Sequence, residues 1–193
     1  MQDYKGIILN SNKKTYPNKN KVSAVVNPND YNDGAKLMEH SYLGNRTLCA
    51  FEELINKERG KYAGNSIIWA GSQSNNEPYS LDKQKVNIYT ISNKYGTKIS
   101  GLEGNHYRYI INEDKKLYID TDRIEPDEYG FRIHPLPLLC ADVDLSKTND
   151  YKGLNGAQIG KWKRNVVVVS DNKPSDEYKE INILFKEITI SFA

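Results

Sequence analysis

The sequence predicts an α+β fold: mainly antiparallel strands in two quasi-repeated halves around a shared core, with one main helix in the first half. Three observations predict it. Short runs of β-branched and aromatic residues, bounded by Asn, Ser and Gly, recur along the 193 residues, which is the pattern of strands and turns. A single stretch, RTLCAFEELINKER from Arg46, has clear helical spacing. Several phrases also occur twice, in the same order.

LNSNKKTY (9–16) returns as INEDKKLY (111–118), 102 positions on, and KYAGNSIIWAG (61–71) returns as KWKRNVVVVSD (161–171), 100 positions on. KVNIY (85–89) and EINIL (180–184) are 95 apart, and LCA stands at both 48–50 and 139–141. Each match alone is weak in a chain rich in Lys, Asn and Ile. Four in one order define two halves, 1–101 and 102–193, of a single domain 1–193. Neither half buries much apolar surface alone, so the two are expected to share one core around an approximate twofold axis. Trp69 and Val169 are then equivalent core positions.

In chain order, GIILN (6–10) is a strand, SNKK a turn, and TYPNKNKVSAVV (15–26) a further extended piece closed by NPND. Helical character starts near Asn32, breaks at Leu43-Gly44 and resumes at Arg46. There Leu48, Phe51, Leu54 and Ile55 share a face, Asn45 caps the start and Gly60 follows the end, giving a helix over about 46–58. SIIWAG (66–71) is a buried strand, KVNIYTIS (85–92) alternates as another, and NKYGTKISGLEGN separates the halves. The second half opens with HYRYIIN, turns through EDKK and continues as LYIDTDRI. Pro135 and Pro137 argue for an extended RIHPLPLLC rather than a helix. NVVVVS (165–170) is a strand, and EINILFKEITISF (180–192) ends the chain as one or two more.

Charge and composition narrow the functional classes. A net charge of +2 gives no strong field for nucleic acid or a membrane surface. The charge is uneven, with 14 cationic against 9 acidic residues in the first half and 13 against 16 in the second. KKTY, KKLY and KWKR interleave cations with aromatics as single-strand binders do, but on exposed strand faces this pattern is commonplace. The N-terminus has no apolar core of signal-peptide length and no run of 18 apolar residues occurs, so a soluble cytoplasmic protein is expected. Cys49 and Cys140 are too few for a disulfide framework.

YGFRIHPLPLLCADVD, with KWKRNVVVVSDNKP downstream, resembles a family of small uncharacterised proteins. Its members carry an (R/K)IHPLPLL segment, a preceding N-x-x-KK-x-(Y/F) hairpin and a later W-x-R-(D/N)-V strand. SYLGN and IIWAG in the first half also resemble it, so about two thirds of the chain is covered. The resemblance implies no activity. This chain departs from it after PLPLL, where ADVDLSKTNDYKG replaces the Gly-rich stretch the family pattern leads one to expect.

No P-loop, GxGxxG, GxSxG or deaminase motif is present. DVDLSKTND (142–150) places oxygen ligands at alternate positions, as a calcium loop does, but has Lys147 and Gly153 where such a loop needs Gly and an acid. A solvated loop is the simpler reading. The leading expectation is therefore a non-catalytic binding or interaction protein of the inhibitor, immunity or ligand-sequestering type. It would use a cleft between the halves, without cofactor or metal, for a small ligand or a protein. Arg132, His134, Tyr129 and Trp162 are the expected lining, with His40 from the other half, while Leu136, Leu138 and Leu139 pack inward. The alternative is a small hydrolase or metal-dependent enzyme gathering His134, Cys140 and Asp142.

Overall fold

The computed structural model describes residues 3–10, 22–34, 41–72, 74, 76–78, 85–126, 129–142 and 159–182. In the first half these form β1 (Tyr4–Leu9), β2 (Val22–Val26), α1 (Arg46–Ile55), β3 (Ile67–Gly71), β4 (Asn76–Pro78), β5 (Lys85–Asn87), α2 (Ile88–Ser92) and β6 (Thr97–Ile99). The second half adds β7 (Tyr109–Asn112), β8 (Leu117–Asp120), α3 (Pro135–Leu139), β9 (Ala141–Asp142), β10 (Val167–Ser170) and β11 (Lys179–Glu180). Two mainly antiparallel sheets result, ordered β6-β2-β1-β3-β9 and β10-β7-β8-β11, beside the small β4–β5 pair. The fold is α+β.

The two sheets repeat one register. Gly6 pairs with Val26 and Trp69 on either side of β1, and Ile110 pairs with Ile119 and Val169 on either side of β7. Next outward, Ala24 pairs in parallel with Thr97, and Leu117 in parallel with Lys179. Near the axis, Ser66 pairs antiparallel with Val166, each meeting its own counterpart in the other half. The approach to this pair also repeats: Tyr62 donates to Leu54 O and Trp162 to Leu139 O, while Asn65 donates to Tyr62 O and Asn165 to Trp162 O. The halves also exchange edges. Asn56, ending α1, pairs in parallel with Val169 of the second sheet, and Ala141, following α3, pairs in parallel with Trp69 of the first.

Local chemistry explains the helices. Asn45 Oδ1 accepts the Leu48 N–H at 2.8 Å, and Asp33 accepts the Thr47 N–H at 2.9 Å, satisfying two of the free donors at the start of α1. Its apolar face brings Phe51 edge-on to Trp69, 4.9 Å between centroids. Gly6 lies beneath both rings, and a Cβ there would collide with each. Leu48, Phe51 and Trp69 join Leu136, Trp162 and Val169 in one core cluster drawn from both halves.

Four expectations need correction. HPLPLL is helical, not extended, because His134 caps it, Pro135 occupies N1 and Pro137 stands in the first turn, where no backbone donor is needed. Leu136, Leu138 and Leu139 are buried as expected. KVNIYTIS is a strand only to Asn87, whose side chain accepts the Thr90 N–H at 2.9 Å and starts α2. The counterpart of β11 is therefore β6, not KVNIY. The two LCA phrases are not equivalent either, since Leu139-Cys140-Ala141 matches Leu54-Ile55-Asn56 in its pairings. Of EINILFKEITISF, only 180–182 lie within the described residues.

Two stability predictions follow from this geometry. Trp69→Ala should cost about 3–5 kcal/mol in a denaturant titration, since it empties the space over Gly6. Arg164 has φ 64° where its counterpart Gly64 has φ 90°. Arg164→Val should therefore cost about 1–2 kcal/mol more than Arg164→Gly, since both lose the arginine side chain and only valine keeps the strain; equal costs for the two would remove backbone strain as the cause.

Candidate functional site

The polar centre of the molecule lies where the halves meet, and it starts from an anomaly on α1. Leu48, Phe51, Glu52 and Ile55 follow one another at helical spacing, so Glu52 stands in the apolar stripe, fully buried. A buried carboxylate must be paired and hydrogen-bonded. The second half supplies every partner. His106 Nδ1 lies 3.2 Å from Glu52 Oε2, the Tyr107 N–H donates to Oε1 at 3.3 Å, and His134 Nε2 faces Oε1 at 3.6 Å.

The partners fix the tautomers. His134 Nδ1 accepts the Leu136 N–H at 3.2 Å, so its lone pair is there and its proton sits on Nε2, toward Glu52. His106 Nε2 lies 3.0 Å from Thr121 Oγ1, whose own proton goes to Arg108 O at 2.6 Å. His106 must then donate through Nε2, and Nδ1 needs a proton to face the carboxylate, which makes the ring an imidazolium. Titration tendencies agree. Burial alone would lower the His106 pKa, but the hydrogen bond and charge of Glu52 outweigh it and raise it. Burial likewise works to raise Glu52, yet the hydrogen bond of His106 and the nearby His134 ring, whose Nε2 stands 3.6 Å away without a hydrogen-bond partner, hold it below the ordinary carboxylate value.

These assignments decide the chemistry. Glu52, His106 and His134 offer ligand atoms within 4.8 Å of one another, the one such group among the described residues. A zinc-type site needs the lone pair of His134 Nε2 with Nδ1 as outer donor, and here the Leu136 N–H holds the ring the other way round. The residues do not fit a metal. Glu52, His106 and Thr121 also line up as a carboxylate, imidazole and hydroxyl would in a nucleophilic triad. However, Thr121 is fully buried and its proton is spent on Arg108 O, so nothing remains to be activated.

Beside the cluster, Arg132 ties separate stretches of backbone together. Arg132 donates from Nε to Ile124 O at 3.0 Å and from Nη2 to Thr121 O, tying residue 132 back to 121 and 124. Across the seam, the Leu43 N–H donates to Arg132 O and the His134 N–H to Ser41 O, each at 2.8 Å, and Tyr42 pairs with Ile133. This pairing sets Tyr42 of the first half against Phe131 of the second, stacked at 4.7 Å between centroids. Tyr129 is 76% exposed and Phe131 49%; only Tyr95, among the described residues, is another large exposed hydrophobic.

The expected lining residues therefore separate. Arg132 and Tyr129 lie at the junction of the halves, Arg132 turned to backbone carbonyls and Tyr129 outward. His134 and Trp162 are 0% and 2% exposed and cannot wall an open cleft, because each is spent on the core. His40 lies outside the described residues. His134, Cys140 and Asp142 do not gather into one group. Cys140 is fully buried, which pushes its thiol far up, and Cys49 is pushed up to about 11, chiefly by burial; neither is a ready thiolate. Asp142 lies 3.7 Å from Lys163, and 143–150 fall outside the described residues. Tyr118 and Trp162, the aromatics of KKLY and KWKR, are buried and offer no face to a base. No helix among the described residues is long and apolar enough to cross a membrane. Compared with protein-family models, with curated proteins and with solved structures, the chain matches none.

Glu52 and His106 escaped the sequence reading, although a carboxylate inside an apolar stripe was a visible signal for the first. Their coupling predicts a stability optimum. The raised His106 contributes stability that is complete below its unfolded value, about 6.5, and is lost as pH rises through its folded one. The depressed Glu52 contributes above its unfolded value, about 4.3, and is lost as pH falls through its folded one. Stability from this pair should thus be greatest between about pH 4.5 and 6.5. In Glu52→Gln the alkaline limb should vanish, and the His106 titration followed by NMR should move down. An unchanged His106 midpoint would show that Glu52 is not its counter-charge.

Proposed function

We propose that this chain is a non-catalytic binding protein whose working surface is the aromatic face of Tyr42, Tyr129 and Phe131 at the junction of its halves. The observation that carries this reading is the bracing of that face. Arg132 donates to two carbonyls, and the 41–43 segment is hydrogen-bonded to 132–134. Large exposed aromatics beside a backbone held by these bonds suit partner contact, because their surface is presented with little ordering cost. The buried cluster speaks against nucleophilic catalysis, since the Thr121 proton is held by Arg108 O and neither cysteine is activated. A binding protein of the inhibitor, immunity or sequestering type is the class that fits.

Site-specific photo-crosslinking tests this. A benzophenone side chain at position 129 should give discrete adducts in lysate of the native host, and the same group at position 95 should not. Adducts at both positions, or at neither, would remove the aromatic face as the binding surface.

A further inference from the structure

We infer that the buried cluster is a two-position proton switch between the halves: Glu52 is held by His106 while that ring is an imidazolium, and it closes onto His134 when the ring becomes neutral. One bond of the cluster is unfinished. His134 carries its proton on Nε2 and points it at Glu52 Oε1, yet the 3.6 Å between them is too long for a hydrogen bond and Nε2 has no other partner. Both side chains are wholly buried, and a buried donor without an acceptor is costly. A closure of about half an ångström would bring the pair to the usual N–H···O length.

The charge on His106 keeps that bond open. His106 Nδ1 stands 3.2 Å from Glu52 Oε2, and a buried ion pair draws the carboxylate harder than a neutral donor does. His106 is the member able to lose its proton, because its side chain is 29% exposed. His134 cannot take over the charge, since a second proton on Nδ1 would break the Leu136 N–H bond that starts α3. The groups facing the pair come from every neighbouring element. They are Glu52 on α1 with Cys49 one turn before it, Arg132 and His134 entering α3, and Asp122 after β8. Tyr107 offers Glu52 only its N–H, its hydroxyl being bonded to Glu53. Arg132 opposes the imidazolium, while Glu52 and Asp122 favour it.

The neutral form has a defined tautomer. Losing the Nδ1 proton would set a lone pair against the carboxylate, so the proton given up to solvent is the one on Nε2. Nε2 then needs a donor, and the Thr121 hydroxyl, 3.0 Å away, turns to it from Arg108 O. Arg108 O is not stranded, because the Thr121 N–H donates to it at 2.9 Å. The His134 N–H is tied to Ser41 O and its Nδ1 to the Leu136 N–H. Closure onto Glu52 therefore draws the start of α3 and its pairing with 41–43 against α1.

The test is a long-range proton–nitrogen NMR titration of the full chain, which reads the protonation and tautomer of each histidine ring. As pH rises, His106 should pass from imidazolium to the Nδ1–H tautomer, while His134 stays Nε2–H throughout. The His134 Hε2 resonance should move downfield with the His106 midpoint, as the bond to the carboxylate forms. In Glu52→Gln that movement should be lost. Thr121→Val should lower the His106 midpoint, since the imidazolium loses its acceptor, and Thr121→Ser should restore it. A His134 Hε2 signal that stays still through the His106 midpoint would overturn the switch. A neutral His106 in the Nε2–H tautomer would overturn the part given to Thr121. Both readouts come from the unsubstituted chain, so neither depends on a variant that folds.

Discussion

The junction of the halves depends on the Glu52 carboxylate. A charge without solvent access is tolerated only when donors surround it, and all three that face Glu52 come from the second half: His106, the Tyr107 N–H and His134. Each partner is fixed in turn. His134 is held by the backbone of α3, His106 by Thr121, and Thr121 by Arg108 O and Arg132. The halves cannot slide past each other without stranding a buried charge. Burying such a pair does little for stability compared with apolar residues of the same shape. Its effect is to penalise every other docking of α1 on the second half, which apolar packing alone leaves loosely specified.

The exchanged edges serve the same end by backbone pairing. Lys57 donates to Val169 O at 2.9 Å and Trp69 to Cys140 O at 2.8 Å, so each half supplies the outermost hydrogen bonds of the other's sheet. A sheet edge left open invites foreign pairing, and here β3 and β10 are each covered by the partner half. Neither half on its own would have a closed inner edge or a complete core. The shared cluster of Phe51, Trp69, Leu136, Trp162 and Val169 and the exchanged strands are therefore two descriptions of one requirement, that the halves fold together.

Much of this architecture was legible in the sequence, because periodicity and turn chemistry are local. The β3 and β10 strands and the KK hairpin at 113–116 stand where their residues place them, α1 starts at Arg46 as expected but ends at Ile55 rather than near 58, and the hundred-residue offset between SIIWAG and VVVVSD is the spacing of two equivalent strands. Other matches misled. LCA recurred by chance, six residues out of register with the true correspondence, because a tripeptide carries too little information to fix an alignment. HPLPLL reads as extended by the rule that proline breaks helices, whereas in a first turn its fixed φ favours the helix. The site was the least legible part. Glu52, His106 and His134 are separated by 54 and 28 positions, and nothing local brings them together; only the docking of α1 does.

The symmetry also explains why there is one such cluster and not two. Equivalent hydrogen bonds align Leu54 with Leu139, which sets Glu52 opposite Pro137 and His134 opposite Cys49. Proline has no charge to bury and no donor to offer, so the second helix asks nothing polar of the first half. At the other equivalent position Cys49 is a small hydrophobe with an unactivated thiol. The polar requirement thus falls on one side of the axis, where Thr121 also accepts from His106 and Arg132. A symmetric scaffold gives two like surfaces. Different residues at two equivalent positions make the halves unlike, so the fold is symmetric in its backbone pairing and one-sided in the charge it buries.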